Sequence, residues 1–389
     1  MNDNITPYVR YIGADDKDLD LFESQYVVPQ GISYNSYVIT DEKIAVMDTI
    51  DQRKTEEWTV RLEEALEGRT PDYLIVQHME PDHAANIGWF AEKYPEATIV
   101  ASAKAIQMMP QFFEEVNFAG RTQTVKEGDT LCLGKHKLTF VMAPMVHWPE
   151  VMLTYEESEK ILFSADAFGK FGALCHEGEW IDEARRYYFN IVGKYGAQVQ
   201  ALLKKAAGLD IAMICPLHGP VLKENLGYYI GLYDTWSKYE PETEGVVVAY
   251  ASIHGNTAAA ARRMAEILSE KGAAEVMLID LCRDDMALAV ESAFRYSKMI
   301  VAASSYDAGV FPPMFDFLHH LQIKNFQKRR VGIIENGSWA PTAGRMMSCM
   351  LSEMKNMEIM EHMVTIKSSM KKADLLQMEE LAEELLATE

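Results

Sequence analysis

The sequence predicts a mixed fold, α+β in its first part and α/β in its second, where it ends in a doubly wound, five-stranded parallel sheet. Three observations carry this. Up to about residue 240, short strand-like runs are grouped with turns and scattered helices. After the polar linker Glu240-Pro241-Glu242-Thr243-Glu244-Gly245 the rhythm becomes a regular strand–helix alternation, the mark of a parallel sheet covered by helices. A chain of 389 residues with 48% hydrophobic and 24% charged side chains can also bury two cores of ordinary size. The expected domains are 1–242 and 246–389.

In the first part, strand character is clearest over 33–40 and 43–48, with the turn Asp41-Glu42 between them reading as a hairpin. Trp58, Leu62 and Leu66 at helical spacing predict a helix over 55–67. The apolar run Tyr73-Leu74-Ile75-Val76 reads as a buried strand and 84–91 as a helix. Another strand (97–101) and helix (103–113) follow. Strands return at 131–133, 138–142, 152–155 and 161–163, then a helical stretch at 182–207, a strand at 211–215 and a helix at 226–239. In the second part, strands are expected at 246–251, 275–280, 299–304, 330–335 and 363–367, with helices between and after them.

Composition excludes several function classes. A formal net charge of −21, from 37 basic and 58 acidic residues, argues against nucleic acid, which needs a basic surface. The five cysteines (Cys132, Cys175, Cys215, Cys282, Cys349) form no CxxC pair, so neither a disulfide framework nor a thiolate metal site is expected. Residues 1–7 carry no signal segment, and no apolar run approaches the roughly 20 residues of a membrane span. The expected location is cytoplasmic, without a membrane partner.

The stretch with the most chemistry is Gln77-His78-Met79-Glu80-Pro81-Asp82-His83, at a strand-to-helix junction. Four metal-competent side chains within six residues would each cost several kcal/mol if buried unpaired, and a bound metal satisfies them together. His147, Asp166 and His218 also stand just after strands, and strand ends on one edge of a layered sheet converge. The sum is four imidazoles (His78, His83, His147, His218) and three carboxylates (Glu80, Asp82, Asp166). One bridging carboxylate would leave each of two ions with two histidines and a terminal carboxylate. That set suits non-heme iron or manganese as well as zinc. The remaining histidines read as ordinary surface or core residues.

In the second part, Ala251-Ser252-Ile253-His254-Gly255-Asn256-Thr257 follows the first strand and opens a helix. Small and hydroxyl residues there let backbone N–H groups surround a phosphate, although Gly-Asn-Thr also makes an ordinary helix cap. No lysine follows the glycine, which excludes an ATP-type P-loop. Loops 304–313 and 336–344 supply Tyr306 and Trp339, flat cover for a ring, at the strand ends where open α/β sheets bind ligands.

His78-x-Glu80-x-Asp82-His83, His147-Trp148-Pro149, Ser164-Ala165-Asp166 and Pro216-Leu217-His218-Gly219 together resemble the metallo-β-lactamase-type domain of flavodiiron proteins, an αββα sandwich. Hydrolases of that fold typically carry His-x-His-x-Asp-His. Glu80 in place of the second histidine favours iron and redox work over zinc hydrolysis. The second part resembles flavodoxin. The resemblance implies two non-heme irons, with His78, Glu80 and His147 on the one nearer the flavin, Asp82, His83 and His218 on the other, and Asp166 bridging. It implies FMN, with phosphate contacts from Ser252, His254, Asn256 and Thr257 and ring contacts from Tyr306, Gly309, Ser338 and Trp339. The implied activity is reduction of dioxygen to water or nitric oxide to nitrous oxide. Its electrons would come from a rubredoxin-like protein, a reductase or a reduced deazaflavin coenzyme, in a head-to-tail homodimer or dimer of dimers. The competing readings are a zinc hydrolase with an appended flavodoxin module and a flavin electron carrier.

Overall fold

A computed structural model of the chain describes residues 4–176 and 178–387; the first three residues of the 1–7 stretch lie outside the described residues. The chain divides into two compact units. One comprises 1–188 and 197–234, the other 189–196 and 235–389.

The first unit holds two sheets. One runs in the order Val9–Tyr11, Tyr37–Thr40, Ile44–Met47, Tyr73–Val76, Thr98–Ser102, Thr122–Val125. The first three of these strands are antiparallel neighbours and the last four are parallel. The other is Thr130–Cys132, Lys137–Met142, Met152–Glu156, Ile161–Phe163 and Met213–Cys215, antiparallel except for its last pair. Tyr37, Met47, Ile75 and Val100 from the first sheet share one core with Phe140, Met152, Ile161 and Phe163 from the second. Face-to-face burial of this kind makes a sandwich. Helices Thr55–Leu66 and Ala103–Phe112 pack on the first sheet's outer side.

Local departures from expectation have physical reasons. The run expected as one strand over 33–40 is two, Ile32–Tyr34 and Tyr37–Thr40, in different sheets. At the break, Asn35 Nδ2 donates to the carbonyls of Pro216 and Gly219, both at 2.8 Å. The helix expected over 84–91 is two short ones, Pro81–Ala84 and Ile87–Lys93. At their junction Asn86 Nδ2 donates to the Ile50 carbonyl at 2.6 Å. The helical stretch expected at 182–207 is segmented into Trp180–Tyr187, a π turn Tyr188–Val192, a 3-10 turn Gly193–Tyr195 and Gly196–Ala206.

The second unit is a parallel sheet in the order Val276–Asp280, Thr243–Ala251, Tyr296–Tyr306, Arg330–Asn336, then a fifth position shared by Glu358–Ile359 and Val364–Ile366. In chain order this is 2-1-3-4-5, the flavodoxin-like winding. Helices Asn256–Glu270 and Lys372–Leu386 pack together over one face, around Met264, Leu268, Met378 and Leu381. Helices Met286–Arg295, Pro312–Ile323 and Ala343–Ser352 form a contiguous second layer. No helix among the described residues is long and apolar enough to cross a membrane.

Candidate metal centre and cofactor cavity

All seven predicted ligands come together at the strand ends of the first unit. His78 follows Tyr73–Val76, and Pro81 starts the four-residue helix that turns Asp82 and His83 inward. His218 and Asp166 sit in loops after Met213–Cys215 and Ile161–Phe163. Ala165 (φ 49°) and Phe168 (φ 67°) hold positive-φ backbone around Asp166, a conformation costing about 1–3 kcal/mol that persists only where the surroundings impose it.

Two donor sets form. His78, Glu80, His147 and Asp166 make one; Asp82, His83 and His218 make the other. In the first, Glu80 Oε2 is 3.2 Å from His78 Nε2 and 2.9 Å from His147 Nε2, while Asp166 Oδ2 is 3.2 and 3.3 Å from the same nitrogens. In the second, Asp82 Oδ2 is 3.4 Å from His83 Nε2 and 3.2 Å from His218 Nε2. The other oxygen of Asp166, Oδ1, faces this set, 3.1 Å from His83 Nε2 and 3.8 Å from His218 Nε2. Donors bound at about 2.1 Å at right angles around one ion stand roughly 3 Å apart. One carboxylate therefore presents an oxygen to each set.

The donors fit a metal pair on chemical grounds. Both oxygens of Asp82 and Asp166, both ring nitrogens of His83 and His218 Nε2 are buried without a hydrogen-bond partner, and leaving so many unmet is costly. Electrostatics agree. Burial alone would depress His147, yet the carboxylates of Asp166 and Glu80 lift it to about 9. Burial would likewise raise Glu80 and Asp166, but the surrounding imidazoles hold both below the usual carboxylate range. A cation in place of the protons satisfies the same carboxylates.

Outer contacts aim the rings. Glu150 Oε1 accepts from His78 Nδ1 and from Met79 N, both at 2.8 Å, which turns His78 Nε2 toward the centre. His218 Nδ1 donates to the Ser33 carbonyl at 2.7 Å, and Gly219 N to Ser33 Oγ at 2.7 Å. Asp48 accepts from Gln77 N and Gln77 Nε2 at 2.7 and 2.9 Å. Trp148 stands perpendicular to His78 with ring centroids 5.3 Å apart. Phe22, Tyr34 and Tyr187 wall His218. None of Glu150, Ser33 or Asp48 is a predicted site residue. The available signal was weak: a glutamate two residues past His147-Trp148 and an aspartate ending a strand.

In the second unit a cavity of about 610 Å³ opens at the strand ends, within the size range of cofactor sites. Seven of the eight predicted cofactor residues line it: Ser252, His254, Asn256, Thr257, Tyr306, Ser338 and Trp339. Gly309 does not. It lies in a short strand paired back on Ser305 and Tyr306, its carbonyl accepting from Thr342 Oγ1. Ser368, after the fifth strand, lines the cavity without having been expected, held by Ser338 Oγ at 2.8 Å. Helix Asn256–Glu270 begins at Gly255 (φ 90°) with no side-chain cap, so its first N–H groups face the cavity mouth unclaimed, as an anion site requires. Trp339 is 91% exposed, and its indole offers a flat apolar surface suited to covering a ring.

Residues 32–219 match the ODP family beta lactamase. The anaerobic nitric oxide reductase flavorubredoxin of Aliivibrio fischeri is 30% identical over 353 residues, covering 87% of this chain and 70% of the relative. The chain belongs to the flavodiiron protein family. An uncharacterized protein of Methanocaldococcus jannaschii is also 30% identical, over 80% of both chains. The rubredoxin oxygen:oxidoreductase of Desulfovibrio gigas superposes with a TM-score of 0.92 at 25% identity, covering 98% of this chain and 97% of that one. The Giardia intestinalis flavodiiron protein, at 23% identity, shows the same fold with a TM-score of 0.90 over 99% and 97% of the two chains. As a flavodiiron protein the chain is an oxidoreductase whose cofactors are FMN and a diiron centre.

Proposed function

We propose that this flavodiiron protein reduces dioxygen to water, nitric oxide to nitrous oxide, or both, at irons held by the two donor sets, with electrons passing through FMN in the hydroxyl-lined cavity. The observation that carries the reading is Asp166, whose two buried oxygens face different donor sets and lack hydrogen bonds. Bound iron would supply a redox-active Lewis acid, and bound FMN the electrons in pairs. His78, Glu80 and His147 would hold one iron and Asp82, His83 and His218 the other. Glu150 and the Ser33 carbonyl keep His78 and His218 in the tautomer whose Nε2 can bind metal. Phe22, Tyr34, Tyr187 and Trp148 line the site with rings and keep bulk water from it.

In the second unit, Ser252, Asn256 and Thr257 would receive the phosphate, with His254 beside them, while Tyr306, Ser338 and Trp339 flank the ring. The donor fits a rubredoxin-like protein, since relatives are named flavorubredoxin and rubredoxin oxygen:oxidoreductase. A head-to-tail homodimer would bring one chain's FMN to its partner's metals. Glu80, a carboxylate where hydrolases carry a histidine, sets the zinc hydrolase reading aside. Anaerobic mixing of reduced protein with each gas, following reoxidation and products, tests the proposal. Stoichiometric water or nitrous oxide supports it, and reoxidation by neither gas refutes it.

A further inference from the structure

The metal centre is closed on most sides and open on one. Side-chain exposure is 0 or 1% for His78, His83, Asp166 and His218, but 14% for Glu80 and 10% for Asp82 and for His147. A small molecule therefore reaches the donor sets past Glu80, Asp82 and His147.

A hairpin stands against the second donor set. Strands Leu21–Phe22 and Tyr26–Val27 pair antiparallel, with Phe22 opposite Tyr26. The Phe22 ring meets the His218 ring edge-on, centroids 5.5 Å apart. Phe22 and Tyr26 both pack on Phe171, at 5.6 and 6.0 Å, and Arg186 Nη2 donates to the Val27 carbonyl at 2.9 Å. The hairpin is thus rooted in the wall of the centre, while its turn Glu23-Ser24-Gln25 stays exposed. Glu23 and Ser24 hold φ 49° and 57°, as tight hairpin turns demand.

Glu23 is the charged side chain of this turn. Its Oε2 accepts from Gln25 Nε2 at 3.1 Å, and among the described residues no ion pair or other hydrogen bond holds its carboxylate. The ionisable groups acting most strongly on it are Glu80, His147 and Asp82, the same three that leave the centre open. Although Glu23 reaches solvent, desolvation by the surrounding protein is the first cause pushing its carboxyl up to about 7, and Glu80 is the second; Asp82 adds to the rise, while His147 and Gln25 oppose it. Cations in the donor sets would cancel the repulsion from Glu80 and Asp82 and leave Glu23 a carboxylate.

We propose that Glu23 is a specificity-determining residue, a carboxylate at the mouth of the metal centre that excludes small anions and lets uncharged gases pass. The inference deepens the proposed function and rests on its reading that the substrates are dioxygen and nitric oxide. Both gases and both products, water and nitrous oxide, are uncharged, so negative charge at the mouth does not oppose their passage. Azide, nitrite and small carboxylates are anions that an iron centre would otherwise take up. The net charge of −21 does not supply this selectivity, because exposed charges more than about 10 Å away are largely screened. One carboxylate about 8 Å from a bound anion, partly shielded by solvent, weakens its binding roughly tenfold.

The probe is sodium azide, titrated into the oxidised, iron-loaded protein and followed by the azide-to-iron absorption band. Glu23→Gln should bind azide about tenfold more tightly than the native chain, and Glu23→Lys more tightly again, with the differences narrowing as ionic strength rises. Nitric oxide, the uncharged control, should bind the reduced native and variant proteins with affinities within about twofold of each other. These binding readouts stand whether or not the chain turns over either gas, so failure of the gas chemistry is told apart from failure of the filter. Equal azide affinity in native protein and Glu23→Gln, a parallel rise for azide and nitric oxide, or loss of iron from Glu23→Gln would each overturn the assignment, the last by making Glu23 a metal ligand.

Discussion

Glu150 carries no metal-facing atom, yet the orientation of His78 depends on it. Its Oε1 is shared between His78 Nδ1 and Met79 N, and the residue is buried. Replacing it with alanine frees the ring and unpairs a buried N–H. Metal affinity of the His78 set should fall about 10- to 100-fold, measured by chelator competition, while the fold persists by circular dichroism. Gly219 makes a second residue-scale case. It sits at φ +80°, and a Cβ there would stand 2.7 Å from Lys170 Cγ. Gly219→Ala should cost about 1–3 kcal/mol in denaturant unfolding and displace His218. Sequence exposed the seven converging donors because metal-competent residues crowd one strand-to-helix junction and the others recur just after strands. It did not expose what orients them, because Glu150 and Ser33 lie 72 and 185 residues from the histidines they hold. A glutamate and a serine carry no pattern announcing such distant partners.

Elements hold the centre through their ends and breaks. Asp16, at the end of strand Ala14–Asp16, is buried with Arg53 Nε at 2.5 Å and Lys54 Nζ at 3.6 Å. Burial would raise its pKa, but Arg53, the Asp18 N–H and Lys54 together bring it below the usual value. A carboxyl lowered on folding contributes stability that is present above the unfolded-state pKa, near 3.9, and is lost as pH falls through the lower folded value. Asp16→Asn should lower stability by about 1–3 kcal/mol at neutral pH, with a difference from the native chain that shrinks as pH falls through the lowered folded-state value, read as urea midpoints across pH. In the second unit Ser305 Oγ accepts from Thr342 N and Ala343 N, 2.8 and 3.1 Å away, at the start of helix Ala343–Ser352. Ser305→Ala should cost about 1 kcal/mol and weaken FMN retention, followed by flavin fluorescence on dilution. The parallel alternation of this unit was plain in its sequence. The breaks at Asn35, Asn86 and Tyr188 were not, because each answers to a tertiary contact or a local winding that strand and helix periodicity cannot register. Gly309, expected beside the ring, lies instead in the strand paired back on Ser305 and Tyr306, since a turn rich in small residues says nothing about which of them lines the cavity.

At the scale of the whole molecule, the sequence and the fold place a metal-type centre in one unit and a flavin-type cavity in the other, and family membership supplies the cofactors for both. Asp166 and the six side chains that meet around it should hold two irons. Iron content per folded chain, by elemental analysis of protein purified without oxygen, tests this for the native sequence and for Asp166→Ala. About two irons per native chain are expected, with the loss of at least one in the variant, whose unfolding remains cooperative. Native protein that folds with zinc or no metal at these positions, or an Asp166→Ala variant that keeps both irons, would contradict it.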